Sequence, residues 1–265
     1  MTTEQFQRTY RQTVADVNAS LPEGFLKLLG HHDQGLLRWS PEEYMVRSER
    51  RYVRAMQMLE RFGFSGDPVL EVGGFLATFP LTLARLDVPV TVVDRYDLYG
   101  GVLDGVLELL GQSGATVLDA DFTTSSQDVG TFPFVLNMAM VEHLADSPRT
   151  LMTNLHDACD RILLLEVPNL AYAYKRWDLM RGRTVHPQLA EVYYSASPFT
   201  GHHREYTVDD VAKLLSFSRF EPLAVETLTY SPPRDWRTAL RPQFLAAHVL
   251  RNWREVIISV ARPLR

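Results

Sequence analysis

The chain has 265 residues, of which 46% are hydrophobic and 22% charged, and this composition excludes disordered, collagen-like and coiled-coil classes. The formal net charge of −5 disfavours non-specific nucleic-acid binding, which needs a basic excess. The single cysteine, Cys159, excludes an intramolecular disulfide and a Cys-rich zinc site. No targeting segment or membrane-length apolar run is visible, so we expect a cytoplasmic protein that binds neither nucleic acid nor membrane.

The first 65 residues are predicted to be helical. Ser40-Pro41-Glu42-Glu43 has a cap residue, a proline at the first helical position and a glutamate three residues after the cap, which together indicate a helix start. Apolar residues then recur on one face of this helix. Four arginines are expected on its solvated face: Arg47, Arg50, Arg51 and Arg54. We therefore predict an N-terminal helical cap over 1–65 and a larger domain over 66–265.

From Pro68 onward, short apolar runs alternate with helical segments, as in a parallel sheet wrapped by helices. The predicted strands are 69–72, 88–93, 115–118, 134–138, 162–167, 220–230 and 255–261. Helices are expected at 81–86, 98–110, 147–159 and 207–217. Residues 170–206 lack a clear period and are rich in Tyr, Arg, His and Pro, so we interpret them as an acceptor-binding insertion or lid.

A glycine turn, Gly73-Gly74, follows the first predicted strand directly. Glycine is favoured where a backbone must approach a ligand closely, although a simple tight turn between strand and helix also explains it. Twenty-one residues beyond Gly73 the next strand ends in Asp94, where nucleotide-binding α/β folds place an acid that accepts hydrogen bonds from ribose hydroxyls. The combination is more specific than either part.

Together these features resemble the class I S-adenosylmethionine (SAM)-dependent methyltransferases over about residues 67–262. The resemblance implies an α/β, Rossmann-like doubly wound sheet of seven strands, mostly parallel with an antiparallel last strand. It places Glu71 and Gly73 at the methionine end of SAM, Asp94 at the ribose, and Asp121 and Phe122 at the adenine. The full set of implied cofactor-binding residues is Glu71, Gly73, Gly74, Asp94, Arg95, Asp121, Phe122 and Asn137.

The sequence departs from the family pattern at three positions. Phe75 and Ala77 stand where the second and third glycines are usual, and Pro133 replaces a usual aspartate. In related proteins an N-terminal helix closes over the cofactor, so Tyr44 or Arg47 is expected to reach the methionine carboxylate.

Glu142-His143-Leu144 is similar to a segment after strand four of many small-molecule methyltransferases. His143 is the candidate general base, because methyl transfer to a hydroxyl requires removal of a proton near neutral pH. A structural hydrogen bond is the alternative role of this histidine.

The segment 201–207 resembles the acceptor side of bacterial methyltransferases that act on sugars and secondary metabolites. The expected acceptor-binding residues are Glu142, Glu166, Tyr194, His202, His203 and Tyr206. The resulting hypothesis is an O-methyltransferase acting on a sugar or oligosaccharide hydroxyl, as in polysaccharide biosynthesis. Another small-molecule acceptor, an NAD-dependent oxidoreductase or epimerase, and a non-catalytic binding protein remain alternatives.

A divalent cation such as Mg²⁺ is left open by the sequence, without assigned ligands. His202, His203, Glu142 and Glu166 carry suitable ligand atoms, but their spacing is not diagnostic. A homodimer is likewise left open.

Overall fold

The computed structural model describes residues 1–29, 40–124, 129–195, 199–233 and 235–265. Its centre is a seven-stranded sheet with the order β3-β2-β1-β4-β5-β7-β6. The strands are β1 Val69–Val72, β2 Val90–Asp94, β3 Thr116–Asp119, β4 Phe132–Met138, β5 Cys159–Pro168, β6 Phe220–Leu228 and β7 Val256–Pro263. The helices are α1 Thr3–Ser20, α2 Phe25–Leu28, α3 Pro41–Arg61, α4 Thr78–Ala84, α5 Asp104–Gln112, α6 Arg149–Ala158, α7 Ala173–Met180, α8 Leu189–Tyr194, α9 Val208–Phe217, α10 Trp236–Ala239 and α11 Pro242–Val249.

Strands β1 to β5 pair in parallel, whereas β7 runs antiparallel to both β5 and β6. This topology confirms the predicted Rossmann-like sheet with an antiparallel last strand. The strand order changes direction between β1 and β4, which is the topological switch point of the sheet. In sheets of this kind, ligands bind outside the carboxyl ends of the strands at the switch point.

Two of the predicted elements differ from the observed ones. The predicted helix over 98–110 is wrong in its first half, because a 3-10 turn at Tyr96–Tyr99 is followed by Gly100 and Gly101, both at positive φ, before α5 begins. The insertion 170–206 contains two short helices, α7 and α8. Pro133 lies where the pairing of β4 with β5 is irregular, as expected for a residue without an N–H.

The N-terminal helices pack directly on the α/β sheet. Helix α1 contacts α3, α4 and α5, and Phe6, Tyr10, Tyr52 and Phe79 form a chain of aromatic contacts between these helices. The predicted capping box at Ser40 is confirmed, since Ser40 Oγ accepts a hydrogen bond from the amide of Glu43. The four aromatic residues share one hydrophobic core with side chains of β1 and β4.

None of the described helices is both long and apolar enough to cross a membrane.

Candidate functional site

The carboxyl ends of β1, β4 and β5 bring three buried polar side chains together. Glu71 pairs in register with Leu136 next to Asn137, and Glu166 pairs with Met138. Glu71 is 4% exposed, and Asn137 and Glu166 are fully buried. Because the neighbouring residues at these strand ends are apolar and buried, each polar group must be explained by a partner or a ligand.

Arg51 of α3 supplies one such partner. Its Nη1 lies 2.9 Å from Glu166 Oε1, and its Nη2 donates hydrogen bonds to the hydroxyls of Tyr44 at 2.7 Å and Tyr52 at 3.1 Å. The guanidinium also lies 5.5 Å from the centroid of the Tyr230 ring. The contact is an interior ion pair, since Arg51 is only 3% exposed.

The prediction that Arg51 belongs to the solvated face of α3 is therefore wrong. Arg51 lies three residues after Ser48 and four before Ala55, and all three are buried on one face of the helix. This helical spacing is the sequence feature that could have indicated burial of Arg51, although an arginine on a helix is ordinarily exposed to solvent. Tyr44 joins the Arg51 cluster, and its expected contact with the methionine carboxylate, like that of Arg47, stays a prediction.

Glu71 has a carboxylate oxygen, Oε2, without a hydrogen-bond partner among the described residues. Burial raises the pKa of Glu71 to about 8, and Arg51 offsets only part of this effect. Asn137 Nδ2 donates to Val72 O at 3.0 Å, while Asn137 Oδ1 also lacks a partner in the described part of the chain. Both groups can thus hydrogen-bond to a ligand that enters at the strand ends.

The glycine turn has no room for side chains. A Cβ at Gly73 would lie 2.6 Å from Met140 Cγ, and a Cβ at Gly74 would lie 2.4 Å from Val92 Cγ1. Phe75 and Ala77 adopt φ values of 42° and 50°, in the left-handed region that favours glycine. The turn therefore keeps the backbone course that glycines favour, although two of its residues are not glycine.

Asp94 connects the end of β2 to this turn. Its Oδ2 accepts a hydrogen bond from the amide of Phe75 at 2.7 Å, and its Oδ1 accepts one from the amide of Arg95 at 2.7 Å. Burial raises the pKa of Asp94 above its ordinary value, and the two amide hydrogen bonds act in the opposite direction. The carboxylate is thus fixed in position and retains lone pairs for a further donor.

The predicted adenine residues lie beside Asp94. Arg95 Nη1 contacts Asp121 Oδ2 at 3.2 Å, while Asp121 Oδ1 accepts a hydrogen bond from the amide of Thr123 at 2.8 Å. Phe122 is buried, and its carbonyl accepts a hydrogen bond from Asn154 Nδ2 at 2.8 Å. The structure thus brings Asp94, Arg95 and Asp121 to one edge of the sheet.

A second group forms after β4, where Glu142, His143 and His202 each offer a ligand atom within 4.8 Å of the others. The amides of His203 and Arg204 donate to the Glu142 carbonyl at 2.8 and 3.2 Å, which brings the segment 202–206 against the turn after β4. Glu142 is fully buried, and neither of its carboxylate oxygens has a hydrogen-bond partner among the described residues. Burial raises the pKa of Glu142 to about 8.

The other predicted acceptor residues are arranged differently. His203 Nε2 contacts Phe199 O at 2.9 Å, and Tyr206 is buried beneath the guanidinium of Arg204. Tyr194 lies on the exposed surface of α8, against Tyr193. Sequence reasoning missed Lys175 and Glu205, which form an ion pair beside His202.

Three features of the strand ends fit a nucleoside cofactor such as SAM: the position of the glycine turn, two buried polar oxygens and Asp94. The glycine turn lies at the switch point of the sheet, and the unpartnered oxygens of Glu71 and Asn137 are buried next to it. Asp94 lies at the neighbouring strand end, where a ribose hydroxyl can donate to it.

Comparison with known proteins shows which solved structures share this fold. No protein-family model matches the sequence, and no curated protein matches it. Magnesium protoporphyrin IX methyltransferase from Synechocystis PCC 6803 with bound S-adenosylhomocysteine (SAH) is similar at a TM-score of 0.56 and 13% identity, over 84% of this chain and 87% of that one. A glycopeptide N-methyltransferase matches at a TM-score of 0.54 and 16% identity, over 80% and 90% of the chains. A SAM-dependent methyltransferase from Methanosarcina mazei matches at a TM-score of 0.55 and 14% identity, over 78% of this chain and 97% of that one.

These similarities extend over most of each chain, and they confirm the resemblance seen in the sequence at the level of fold. The chain has the fold of the class I SAM-dependent methyltransferases.

We expect Arg51→Met to lower the free energy of unfolding by about 3–5 kcal/mol, because it leaves the buried Glu166 carboxylate without its partner. The double variant Arg51→Met/Glu166→Met should recover much of this loss. Arg11→Met is the matched control, since Arg11 pairs with Glu49 at the surface, and it should change stability little. Urea denaturation measures all three. An Arg51→Met effect as small as that of the control would contradict the interior ion pair.

The raised pKa of Glu71 predicts how stability depends on pH. The pKa is about 8 in the folded protein and about 4.3 when unfolded, so the folded state holds the proton more tightly and loses stability as pH rises between these values. Glu71→Gln should therefore be more stable than the original protein by roughly 1–4 kcal/mol above pH 8, and nearly equal to it near pH 4.5. Denaturation at both pH values tests this.

Glu108→Gln, at an exposed position of α5, is the matched control for Glu71→Gln and should show no such pH dependence. A Glu71→Gln effect that is equal at both pH values would show that the pKa of Glu71 is the same in the folded and the unfolded protein.

Proposed function

We propose that the protein is a SAM-dependent O-methyltransferase that modifies a hydroxyl group of a sugar or oligosaccharide. The observation that carries the proposal is the hydrogen bond from the amide of Phe75 to Asp94, which joins the glycine turn to the end of β2 at the switch point of a methyltransferase fold. Asp94 would accept from the ribose, Asp121 and Phe122 would bind the adenine, and Glu71 and Asn137 would face the methionine end.

SAM supplies a methyl group bound to a positively charged sulfur. The residues of this chain would hold the acceptor oxygen in line behind that methyl group, and such positioning is worth about 7–11 kcal/mol. Three carboxylates, those of Glu71, Glu142 and Glu166, are buried near the strand ends, and Arg51 is paired with the last of them. A cationic cofactor would favour the ionised form of these carboxyl groups, whose pKa values are raised by burial in the protein alone.

The acceptor is proposed to bind beside His143 and His202, between the turn after β4 and the segment 201–207. Its surroundings contain imidazoles, a lysine and tyrosines, which suit a polyhydroxylated ligand. The structural neighbours include a porphyrin methyltransferase and a glycopeptide N-methyltransferase, so the fold accommodates different acceptors. Another small-molecule hydroxyl or carboxylate is the second candidate.

His143 is the proposed general base. Its Nδ1 lies 2.7 Å from Thr200 O and must donate a proton there, which leaves the lone pair on Nε2. Desolvation by surrounding protein atoms lowers the pKa of His143, although the residue is exposed at the surface. The imidazole is thus neutral near pH 7 and can accept the hydroxyl proton.

Since Cys159 is buried and unpaired, we propose a cytoplasmic location. The proposed partner is a small-molecule or oligosaccharide acceptor, and a homodimer remains a hypothesis.

The cofactor assignment is tested by calorimetric titration with SAH, with NAD titrated in parallel. We expect micromolar binding of SAH and no binding of NAD. Asp94→Asn should weaken SAH binding at least tenfold, or about 1.4 kcal/mol, because the asparagine amide is not an anionic acceptor for the ribose hydroxyls. Asp97→Asn, at an exposed position nearby, is the control and should bind normally. Unaltered affinity of Asp94→Asn would place the ribose elsewhere, and binding of NAD alone would favour the oxidoreductase alternative.

The acceptor assignment is tested by SAH release with a panel of methyl glycosides and oligosaccharides. We expect His143→Ala to lower turnover by about a hundredfold to ten-thousandfold while SAH affinity is unchanged. His248→Ala, an exposed histidine of α11, should behave like the original protein. Full turnover by His143→Ala would exclude its role as base, and no SAH release from any acceptor would favour the non-catalytic alternative.

A further inference from the structure

We infer that Glu142, His143 and His202 bind one divalent transition-metal ion, such as Zn²⁺, on the acceptor side of the site. The inference rests on the proposed function only for what the metal does in catalysis. The binding site itself is argued from the side chains.

Glu142 is the first observation. Its carboxylate is fully buried, both of its oxygens lack a hydrogen-bond partner among the described residues, and it is grouped with two imidazoles. A buried carboxylate without partners costs several kcal/mol unless a cation or donor compensates it. Lys175 is a nearby cation, but its Nζ is paired with Glu205.

The orientation of the two histidines is the second observation. His143 Nδ1 contacts Thr200 O at 2.7 Å, and His202 Nδ1 contacts Glu205 Oε1 at 2.9 Å. With Nδ1 donating in both rings, each Nε2 carries a lone pair. Histidines that bind metals typically donate their other N–H to a carbonyl or a carboxylate in this way. Both outer partners of a two-histidine site are therefore already in place.

The geometry and the donor set indicate the class of metal. The three ligand atoms lie within 4.8 Å of one another, whereas metal–ligand bonds of about 2.0–2.2 Å require separations below about 4.4 Å. His143 is exposed and His202 is half-buried, so small rotations of these two side chains would close the gap and the ion would enter from their side. Two imidazoles and one carboxylate suit Zn²⁺, Fe²⁺ or Co²⁺ better than Mg²⁺, which prefers oxygen ligands.

His143 would act as the proposed base in the metal-free protein and as a ligand in the metal-bound protein, because a lone pair bound to a metal cannot accept a proton. Three protein ligands leave coordination positions open for an acceptor hydroxyl. Coordination would lower the pKa of the bound acceptor hydroxyl, whose proton would pass to water. The metal would thereby both position and activate the acceptor oxygen.

The test is titration of chelator-treated protein with Zn²⁺, and with Co²⁺ as a spectroscopic probe, without SAH or acceptor. We expect one equivalent to bind and the Co²⁺ complex to show a visible absorption band. Glu142→Gln and His202→Ala should each lower affinity at least a hundredfold, and Glu205→Gln about ten- to a hundredfold as an outer partner. His203→Ala should retain one equivalent, since its Nε2 contacts Phe199 O instead.

Binding to His202→Ala as tight as to the original protein, or no binding to either, would overturn the inference. Thermal unfolding of each variant separates loss of the site from loss of the fold. The outcome is independent of methyl transfer: failure of SAH binding with intact Zn²⁺ binding would remove the proposed function alone. Full turnover after removal of metal would instead leave His143 as a base and overturn the metal's role.

Discussion

The burial of three glutamates around one arginine is the constraint on which the site depends. Glu71, Glu142 and Glu166 are at most 4% exposed, and Arg51 is paired with Glu166 alone. A fold under selection for stability alone would replace such groups with apolar side chains, because ion pairs in the interior seldom repay their desolvation. Their presence at the carboxyl ends of β1 and β5, and in the turn after β4, is typical of a functional site, where buried titratable groups have shifted pKa values.

The N-terminal helices belong to this arrangement. Helix α3 supplies Arg51, and α2 supplies Phe25, whose ring lies 6.3 Å from that of Phe75 in the glycine turn. Phe75 also contacts Tyr99 at 5.7 Å, so aromatic rings from three segments cover the turn. The N-terminal helices therefore pack against the glycine turn through the contact of Phe25 with Phe75.

The sheet could be predicted from the sequence because its central parallel strands, β1, β4 and β5, have side chains buried on both faces and appear as short apolar runs. Asp94 was predictable because a strand-terminal acid after a glycine turn is a local pattern. The Arg51–Glu166 pair was not, because its partners are 115 residues apart and a single arginine on a helix is ordinarily solvated.

The grouping of Glu142 with His202 was also beyond sequence reasoning. It depends on how the insertion returns to the turn after β4, where the amide of His203 donates to the Glu142 carbonyl. The sequence singled out His203 and Glu166 as further metal-binding candidates, whereas the structure turns His203 toward Phe199 and pairs Glu166 with Arg51. No periodicity of the insertion encodes that contact.

The glycine turn shows how a backbone can be kept while its sequence changes. A left-handed conformation costs a non-glycine residue roughly 1–2 kcal/mol, and both Phe75 and Ala77 adopt it. The hydrogen bond from the Phe75 amide to Asp94 and the contacts of its ring with Phe25 and Tyr99 offset this cost. Backbone geometry can thus persist where motif residues do not, which accounts for a fold that matches at 13–16% identity. In this turn the path of the chain, rather than the number of its glycines, forms the wall of the site.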